Sequence, residues 1–461
     1  VLLLGTAALA CCRVLARAPP QLLGGDTSLF RLAGLSLGAL VLGFCLGTAA
    51  RASILPARLG IAAERVTGIE GLLADDPRNA AGGWGMGYLE LRAAAGEGGL
   101  RVSATGRVLV YYDEEVIPRI SSFGRGSRVY LEGSLLGAGS GGLPRFRARS
   151  VHVLVPAPAI EGFRTEIRLR LTEFFRLRDW GGLALALLVG SRDLLDSDLA
   201  AAYRRAGCSH VLALSGMHLA VIASIIAFLL KKPLGLFPAA VLGVLLISAY
   251  VYLAGGQPSL VRAMVMYLLG TVAVLGGFKS SGLPLLSLAF LIQLSLSPGD
   301  AGSGSFILSY LALAGILVLS GPVHEMLRAW LPGALSQGFA ASLGAFLATA
   351  AVSAATFGEL YPVGLLASLI ITPLSTVFMI LAMACPLVMV LVPALAGLLD
   401  RGLSHYYGLL NKTAALAGLA PGIPAGVLPV LIVSTLGILA ILLAGKRRKG
   451  YYDRLEPFDG A

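Results

Sequence analysis

The sequence predicts a mainly α-helical, polytopic membrane protein with a small all-β soluble domain inserted near its N-terminus. Hydrophobic residues make up 56% of the 461 residues and charged residues only 13%. The mean hydropathy is +0.82, so the chain carries more apolar surface than a soluble core can bury. Uncharged stretches of about 20 residues, enough to cross a hydrocarbon layer of about 30 Å, recur through the C-terminal half.

The N-terminal residues 1–57 are predicted to form membrane anchor helices. The apolar run 32–50 is long enough to span a membrane, whereas the run 1–12 is too short to do so alone. A loop with three arginines separates the two runs. The five cysteines of the chain show no CxxC spacing, so we expect packing residues rather than a disulfide frame or a zinc site.

Residues 58–158 are predicted to form the soluble β domain. Short alternating runs separated by glycine-rich turns indicate about five strands, at 65–71, 88–92, 107–112, 128–133 and 146–154. A small barrel or a sandwich satisfies this pattern. An OB-like barrel of five strands is one candidate, which periodicity alone does not select.

Residues 159–209 are predicted to form interfacial amphipathic or re-entrant helices. The segment 160–178 places apolar residues at helical spacing among five arginines, a pattern typical of a basic helix on a membrane surface. The apolar stretch 181–190 is too short to span. Ser197 is expected to cap a polar helix that ends at Gly207.

Residues 210–446 are predicted to form the polytopic domain, followed by a basic tail at 447–461. An amphipathic stretch at 401–420 is expected to be another interfacial helix. About nine spans are expected, at 211–230, 234–254, 261–278, 283–296, 306–323, 339–357, 363–380, 381–399 and 427–444.

The basic residues predict the orientation of these spans. If the spans alternate, Lys231, Lys232, Lys279, Arg328 and the tail all fall on one side. Short cytoplasmic loops retain Lys and Arg, so that side is expected to be the cytoplasm. The β domain then lies outside and the C-terminus inside. Much of the net charge of +11 is explained in this way without invoking nucleic acid.

The run 207–219 is the most informative stretch, because two histidines and two serines cluster where a predicted span begins. Helical spacing would place His210, Leu214 and His218 on one face, with Ser215 three residues before His218. Polar groups at membrane depth usually face protein or a water-filled cavity. They therefore either hold neighbouring helices together by hydrogen bonds or border a permeation path.

Two other functions fit parts of this pattern. A serine near a histidine is the core of an intramembrane serine hydrolase, and the segment 213–216 is similar to the G-x-S-G motif of rhomboid proteases except that its first glycine is missing. A small-molecule or lipid-precursor transporter would use the same polytopic architecture. A metal site lacks a third and fourth ligand near His210 and His218. We expect no catalytic residue, metal or cofactor.

Three motifs resemble those of the ComEC-type competence family. Gly190, Tyr203, Gly207 and the run 209–218 resemble the family's G-x-R and sHllAiSGlHl signature. The run 258–263 is similar to its P-S-x-x-R-A segment, and 308–312 to its L-S-F-x-A segment. The resemblance covers most of the chain, since that family also has N-terminal membrane helices and an OB-like domain before a polytopic domain.

The resemblance implies a non-enzymatic channel that moves single-stranded transforming DNA across the bacterial cytoplasmic (inner) membrane during natural competence. Such a path needs positive or hydrogen-bonding groups and a hydrated lining. Arg262 is the best candidate for drawing phosphates inward, although a helix-end arginine also snorkels to headgroups. The residues expected along the path are His210, Ser215, Gly216, His218, Arg262 and Ser309.

The resemblance also implies partners. The sequence has no GxxxxGK[ST] loop, so a cytoplasmic helicase or other ATPase is expected to supply energy. An extracytoplasmic DNA receptor would deliver the substrate. Many family members carry a C-terminal metallo-β-lactamase-like nuclease domain, but no H-x-H-x-D-H run occurs here. A separate nuclease is therefore expected to degrade the second strand. Membrane lipid surrounds the chain, and a homo-oligomer is compatible with this architecture.

A DNA-contacting groove is the hypothesis for the soluble domain. Arginines would hold the phosphate backbone while aromatic rings stack on bases. The alternative is a solvated strand face, because acidic residues nearly balance the arginines of the domain. The residues of the predicted groove are Arg128, Tyr130, Arg145, Phe146, Arg147 and Arg149.

Overall fold

The computed structural model describes residues 58–80, 84–96, 100–113, 115–138, 143–278 and 281–455. These residues belong to two compact units, one of Ala52–Leu195 and a second that contains Asp196–Ala461. The predicted anchor helices at 1–57 lie outside the described residues, as do Lys279 and the last six residues of the predicted tail.

The first unit is built on five principal strands at the positions of the five predicted runs. Two shorter strands, β2 and β4, pair with β3. The strands are β1 (Val66–Leu73), β2 (Arg78–Ala80), β3 (Trp84–Gly96), β4 (Arg101–Ser103), β5 (Arg107–Tyr112), β6 (Arg128–Ala138) and β7 (Pro144–Val155).

The principal strands close into a barrel. β1 pairs with both β3 and β6, β6 with β7, and β3 with β5, all antiparallel. β5 and β7 form a parallel pair that completes the ring. A short helix, α1 (Ile117–Ser121), connects β5 to β6. Five strands closed in this order form an OB-like barrel, so the predicted all-β domain is confirmed.

Strand alternation fills the barrel. Alternate residues of β5 are buried, because successive side chains of a strand point to opposite faces. Ile69, Leu89, Val110, Leu131 and Phe146 are each 0% exposed. Fully burying such a side chain stabilises a fold by roughly 1.5–3 kcal/mol, so this interior accounts for the stability of the barrel without any disulfide.

Two helices follow the barrel in the same unit: α2 (Ala159–Arg176) and α3 (Gly181–Val189). Both lie where the sequence predicts helices. Arg164 of α2 is only 3% exposed and donates to Asp76, in the loop that follows β1, at 3.0 Å. Glu161 accepts a second, longer bond of 3.4 Å from the same guanidinium. This buried ion pair fixes α2 to the barrel.

The second unit is helical. Seven of its helices contain segments long and apolar enough to cross a membrane, while α8 is a shorter apolar helix. The helices are α4 (Ser197–Arg205), α5 (Gly216–Leu234), α6 (Leu236–Ala254), α7 (Pro258–Leu275), α8 (Gly282–Leu296), α9 (Gly304–Leu327), α10 (Gly333–Phe357), α11 (Gly364–Leu391), α12 (Ala396–Ala417) and α13 (Val427–Leu455).

Two of the nine predicted spans are wrongly divided. The predicted spans 363–380 and 381–399 are one helix, α11, of 28 residues. No polar or glycine break separates Ile380 from Leu381, and Pro373 and Pro386 lie inside the helix without ending it. The chain turns instead at Pro393–Leu395, and α12 covers most of the predicted helical stretch 401–420, beginning five residues before it.

The turn from α4 to α5 packs tightly against α11. Asp196, rather than the predicted Ser197, caps α4 by accepting from the Asp198 backbone N–H at 3.0 Å. Gly207 has a φ of +69°, and a Cβ there would lie 2.8 Å from the Gly364 Cα. The Tyr203 and Ser375 hydroxyls are 3.2 Å apart. Glycine at 207 is thus required by both backbone conformation and close approach.

Candidate functional site

The polar run at 207–219 is a capped helix start rather than a continuous helix. Helix α5 begins only at Gly216, with Ser215 as its N-cap residue in an extended conformation. His210 lies in the preceding turn and is exposed. The prediction that His210, Leu214 and His218 share one helical face is therefore wrong, because Ser215 ends the turn and starts the helix.

His218 is 0% exposed and forms a capping box with Ser215. Its Nδ1 accepts from the Ser215 backbone N–H at 3.2 Å and lies 3.0 Å from the Ser215 Oγ. Since Nδ1 accepts from a backbone N–H, the ring proton of the neutral imidazole belongs on Nε2. Nε2 has no hydrogen-bond partner among the described residues.

This geometry does not resemble the activated serine of a hydrolase. In such a dyad the histidine accepts the serine proton while a third group orients the opposite ring nitrogen. Here Nδ1 also binds the backbone N–H of Ser215, and no acceptor in the described part of the chain orients Nε2 of His218. The contact caps a helix.

Arg262, on the first turns of α7, is 7% exposed. Its guanidinium donates to the backbone carbonyl of Ser309 on α9 and lies 5.7 Å from the centre of the Tyr310 ring. Its Nε has no hydrogen-bond partner, and no carboxylate pairs with it among the described residues. Within the described part of the chain, its positive charge is thus buried against a carbonyl and an aromatic ring.

Gly216 explains how this arginine reaches the start of α5. A Cβ at position 216 would lie 2.9 Å from the Arg262 Nη2, closer than real Cβ atoms come. The structure thus brings together five of the six predicted path residues: Ser215, Gly216, His218, Arg262 and, through its carbonyl, Ser309. His210 is the exception, since no described contact joins it to Arg262.

The site also contains a network that sequence reasoning missed. Gln293 of α8 is 0% exposed and accepts from the Tyr310 hydroxyl at 3.0 Å. Its amide donates to the Pro258 carbonyl at 3.0 Å and to Asp300 at 3.3 Å. The Ser259 hydroxyl donates to the Leu214 carbonyl at 2.7 Å. A glutamine in the largely apolar α8 was the available signal.

The arrangement favours an anion. Arg262 Nε and His218 Nε2 are both buried N–H donors that have no acceptor among the described residues, and a buried donor left without a hydrogen bond costs about 1–3 kcal/mol. Both lie near the N-terminal end of α5, where the helix dipole and free backbone N–H groups attract negative charge. A phosphate or carboxylate oxygen would satisfy these donors.

The predicted groove of the barrel has a different outcome for each residue. Phe146 is 0% exposed in the core, so the prediction that its ring stacks on bases is wrong. Arg128 donates to Glu70 at 2.6 Å and Arg147 to Asp113 at 3.0 Å. Tyr130 lies under Arg101, 5.3 Å from ring centre to guanidinium. The remaining two predicted residues are Arg145, whose Nε is buried and has no hydrogen-bond partner among the residues that the structure describes, and the exposed Arg149.

A second set of aromatic residues lies on the outer face of the barrel. Trp84, Tyr88 and Tyr111 are all half-buried on the neighbouring strands β3 and β5, and we call them the aromatic strip. Tyr111 lies opposite Met86, between the other two rings. Arg147 lies 4.3 Å over Trp84, and Arg107 lies 5.7 Å over Tyr88. The strip was not predicted from the sequence, because all the residues of the predicted groove lie on β6 and β7.

The helical unit matches a known family. A profile of the family described as "Competence protein" matches residues 187–449. ComE operon protein 3 of Bacillus subtilis (strain 168) is 27% identical over 154 residues, which are 32% of this chain and 19% of that protein. An uncharacterized protein of Aquifex aeolicus (strain VF5) is 30% identical over 193 residues, 42% of this chain and 44% of that protein.

The matched stretches thus span about a fifth and less than half of the lengths of these two relatives. No solved structure matches the chain. The family profile covers more than half of the sequence, and it includes the capped start of α5, Arg262 and Ser309. The chain therefore belongs to the competence protein family.

Proposed function

We propose that the chain conducts single-stranded DNA inward across the bacterial cytoplasmic membrane. The observation that carries this proposal is Arg262, a buried guanidinium with no carboxylate partner among the described residues. Charged groups inside a membrane protein are costly and mark ion and substrate pathways. A passing phosphate would supply the missing partner through a charge-assisted hydrogen bond.

The ends of the helices support an outward-facing entrance. The N-terminal ends of α5, α7 and α9 lie together, since Arg262 contacts both Gly216 and Ser309. The opposite ends carry Lys231 and Lys232 on α5 and Arg328 after α9. Basic residues favour the cytoplasmic side. The Arg262 cluster would then open outward, on the side where DNA arrives and where we place the barrel.

The family points to the same process. The family is described as "Competence protein", and the Bacillus subtilis relative is named ComE operon protein 3. A DNA strand carries one negative charge per nucleotide, which matches the buried N–H donors of Arg262 and His218 that have no acceptor in the described part of the chain. The aromatic strip of the barrel, with Arg107 and Arg147, would hold the strand before entry by stacking on its bases.

The partners remain those that the resemblance implies. Energy would come from a cytoplasmic helicase or other ATPase, and the strand from an extracytoplasmic DNA receptor. A separate nuclease would degrade the complementary strand. Each of these is a proposal that the route from the Arg262 cluster inward requires, since conduction of one strand needs delivery, strand separation and a driving force.

The test is uptake of labelled DNA by cells in which this chain is the only competence channel. Arg262→Ala should lower uptake by roughly 30-fold or more, since losing one partner of a buried charge contact costs about 2–5 kcal/mol. Arg262→Lys should keep part of it, because charge remains but the planar fork is lost. Arg328→Ala is the matched control, since Arg328 forms an exposed ion pair with Glu325.

Parental uptake by a properly inserted Arg262→Ala chain would refute the proposal. The alternatives give different results. A small-molecule or lipid-precursor transporter would leave DNA uptake untouched in every variant. A hydrolase would lose cleavage of a peptide substrate on Ser215→Ala, whereas a helix cap at Ser215 predicts only a stability loss of about 1 kcal/mol.

A further inference from the structure

Helices α11 and α12 form a hairpin. The Tyr406 hydroxyl on α12 donates to the Leu374 carbonyl on α11 at 3.1 Å. The rings of Phe378 and Tyr406 are stacked with centres 6.1 Å apart. At about 1.5 Å per residue, the 28 residues of α11 and the 22 residues of α12 extend about 42 Å and about 33 Å. Each helix is long enough to cross a hydrocarbon layer of about 30 Å.

The two outer ends of this hairpin are joined. Glu359 and Leu360, before α11, pair in an antiparallel ladder with Pro424 and Ile423, after α12. The Ala425 backbone N–H also donates to the Gly358 carbonyl at 3.0 Å. The chain therefore enters α11 and leaves α12 at one place. A membrane crossed by α11 must be crossed back by α12, because the ladder cannot join opposite surfaces.

We infer that α12 is a polar transmembrane helix, the return leg of this hairpin, and that its cationic face borders the hydrated route of the DNA strand. The second half of this inference rests on the proposed function. Arg401, His405 and Lys412 are exposed and spaced four and seven residues apart, so they share one helical face. None of them forms an ion pair with a carboxylate among the described residues.

The depth of His405 in the membrane distinguishes this face from one whose charged side chains only snorkel to the lipid headgroups. Arg401 and Lys412 each lie five residues from an end of α12, so their long side chains reach a headgroup region from about 8 Å away. His405 lies nine residues, about 14 Å, from the start of the helix. An imidazole cannot reach from mid-membrane to a surface. Its Nδ1 lies 2.7 Å from the Arg401 carbonyl oxygen, one turn back on the same helix, so Nε2 is the ring nitrogen that needs water or a polar partner at that depth. The two flanking cations favour a polyanion as the partner of this face.

Cysteine labelling of the full chain in proteoliposomes tests the crossing. The five native cysteines are first replaced, and a membrane-impermeant maleimide is added on one side. Ala394→Cys, in the turn between α11 and α12, and Ile423→Cys, in the ladder, should react from opposite sides. Reaction of both from the same side would place the hairpin on one surface and overturn the inference.

The lining is tested at mid-helix. His405→Cys should react at least tenfold faster than Val377→Cys, an exposed apolar position near the middle of α11. Single-stranded oligonucleotide should slow the reaction at position 405 and leave position 423 unchanged. Equal rates at 405 and 377, or no reaction at 405, would mean a lipid-covered or sealed face and would overturn the lining.

The DNA result is separable from the proposed function. If oligonucleotide leaves the rate at position 405 unchanged while uptake still depends on Arg262, the strand passes elsewhere. In that case the α12 route is wrong and the channel proposal stands. If uptake does not depend on Arg262, the proposed function fails whatever the labelling of α12 shows.

Discussion

The two units of the molecule bury arginine in opposite ways. In the barrel unit, Arg164 is 3% exposed and is paired with Asp76 and Glu161. In the helical unit, Arg262 is 7% exposed, and no carboxylate among the described residues pairs with it. Both side chains lose most of their hydration. Among the described residues, carboxylates supply a counter-charge to Arg164 and not to Arg262.

The difference teaches which buried charge is structural. A paired charge holds two elements together, and its removal leaves the partner carboxylates uncompensated. An unpaired charge costs free energy in the empty protein and becomes favourable only when a ligand of opposite sign arrives. Burial alone does not distinguish a structural arginine from a ligand-binding one. The presence or absence of a carboxylate partner within the protein does.

The largest expected effect comes from replacing each of these two arginines with methionine, which tests the comparison directly. Arg164→Met should destabilise the barrel unit by about 3–5 kcal/mol, because Asp76 and Glu161 lose their partner. Arg262→Met should leave the stability of the helical unit within about 1 kcal/mol of the parent, because no carboxylate is left unpaired. Pulse proteolysis in urea, read on fragments of each unit, measures both.

Arg170→Met is the control on α2. Arg170 is exposed and pairs with Glu166 one turn away, so its loss should cost less than about 0.5 kcal/mol. A loss at Arg262→Met as large as that at Arg164→Met would show that Arg262 is a structural residue. The comparison would then collapse, and with it the main support for a phosphate route.

The second effect concerns which face of the barrel holds DNA. Trp84→Ala removes a ring of the aromatic strip, and stacking of a base on such a ring is worth about 1–3 kcal/mol. Binding of a labelled oligonucleotide, followed by fluorescence anisotropy, should weaken by roughly 5- to 150-fold. Tyr130→Ala, on the β6 side of the barrel, should change it less than twofold. The reverse order would return the contact to the groove predicted from the sequence.

Sequence reasoning found the strands and most spans because both have strong periodic signals. It identified Ser215, His218 and Arg262 because polar residues stand out in apolar runs. It could not find the bonds of Gln293 with Tyr310 and Asp300, since these residues come from different segments and join only when α8 and α9 pack. It also split α11, because length alone separates two apolar spans when no polar residue lies between them.

The third effect tests how closely Arg262 must approach α5. Gly216→Ala puts a Cβ within 2.9 Å of the Arg262 Nη2, so the guanidinium has to move. We expect about a tenfold loss of DNA uptake, which corresponds to about 1.4 kcal/mol, with normal membrane insertion. Gly321→Ala is the matched control, since a Cβ there meets nothing within 4 Å. Equal uptake by both variants would show that this approach is unimportant.

The smallest expected effect is on the pH dependence of stability, through one aspartate in each unit. Burial by itself would raise the pKa of Asp76, but the hydrogen bond from Arg164 and the charges of Arg168, Arg164 and Arg125 outweigh it and lower that pKa below 3.8. Burial raises the pKa of Asp300 above 3.8, against the hydrogen bond from Gln293. Asp300 belongs to the short helical turn Pro298–Gly302 that precedes α9.

The two shifts predict opposite pH dependence. Asp76 stabilises the barrel unit fully above its unfolded pKa, and this contribution is lost as the pH falls through the lowered folded value. Asp300 favours the folded helical unit at low pH, and that contribution is lost as the pH rises from 3.8 through the raised folded value. Urea midpoints of each unit between about pH 3 and about pH 6 measure this. Asp76→Asn and Asp300→Asn should each flatten the profile of their own unit only; flattening of both by either variant would contradict independent titration.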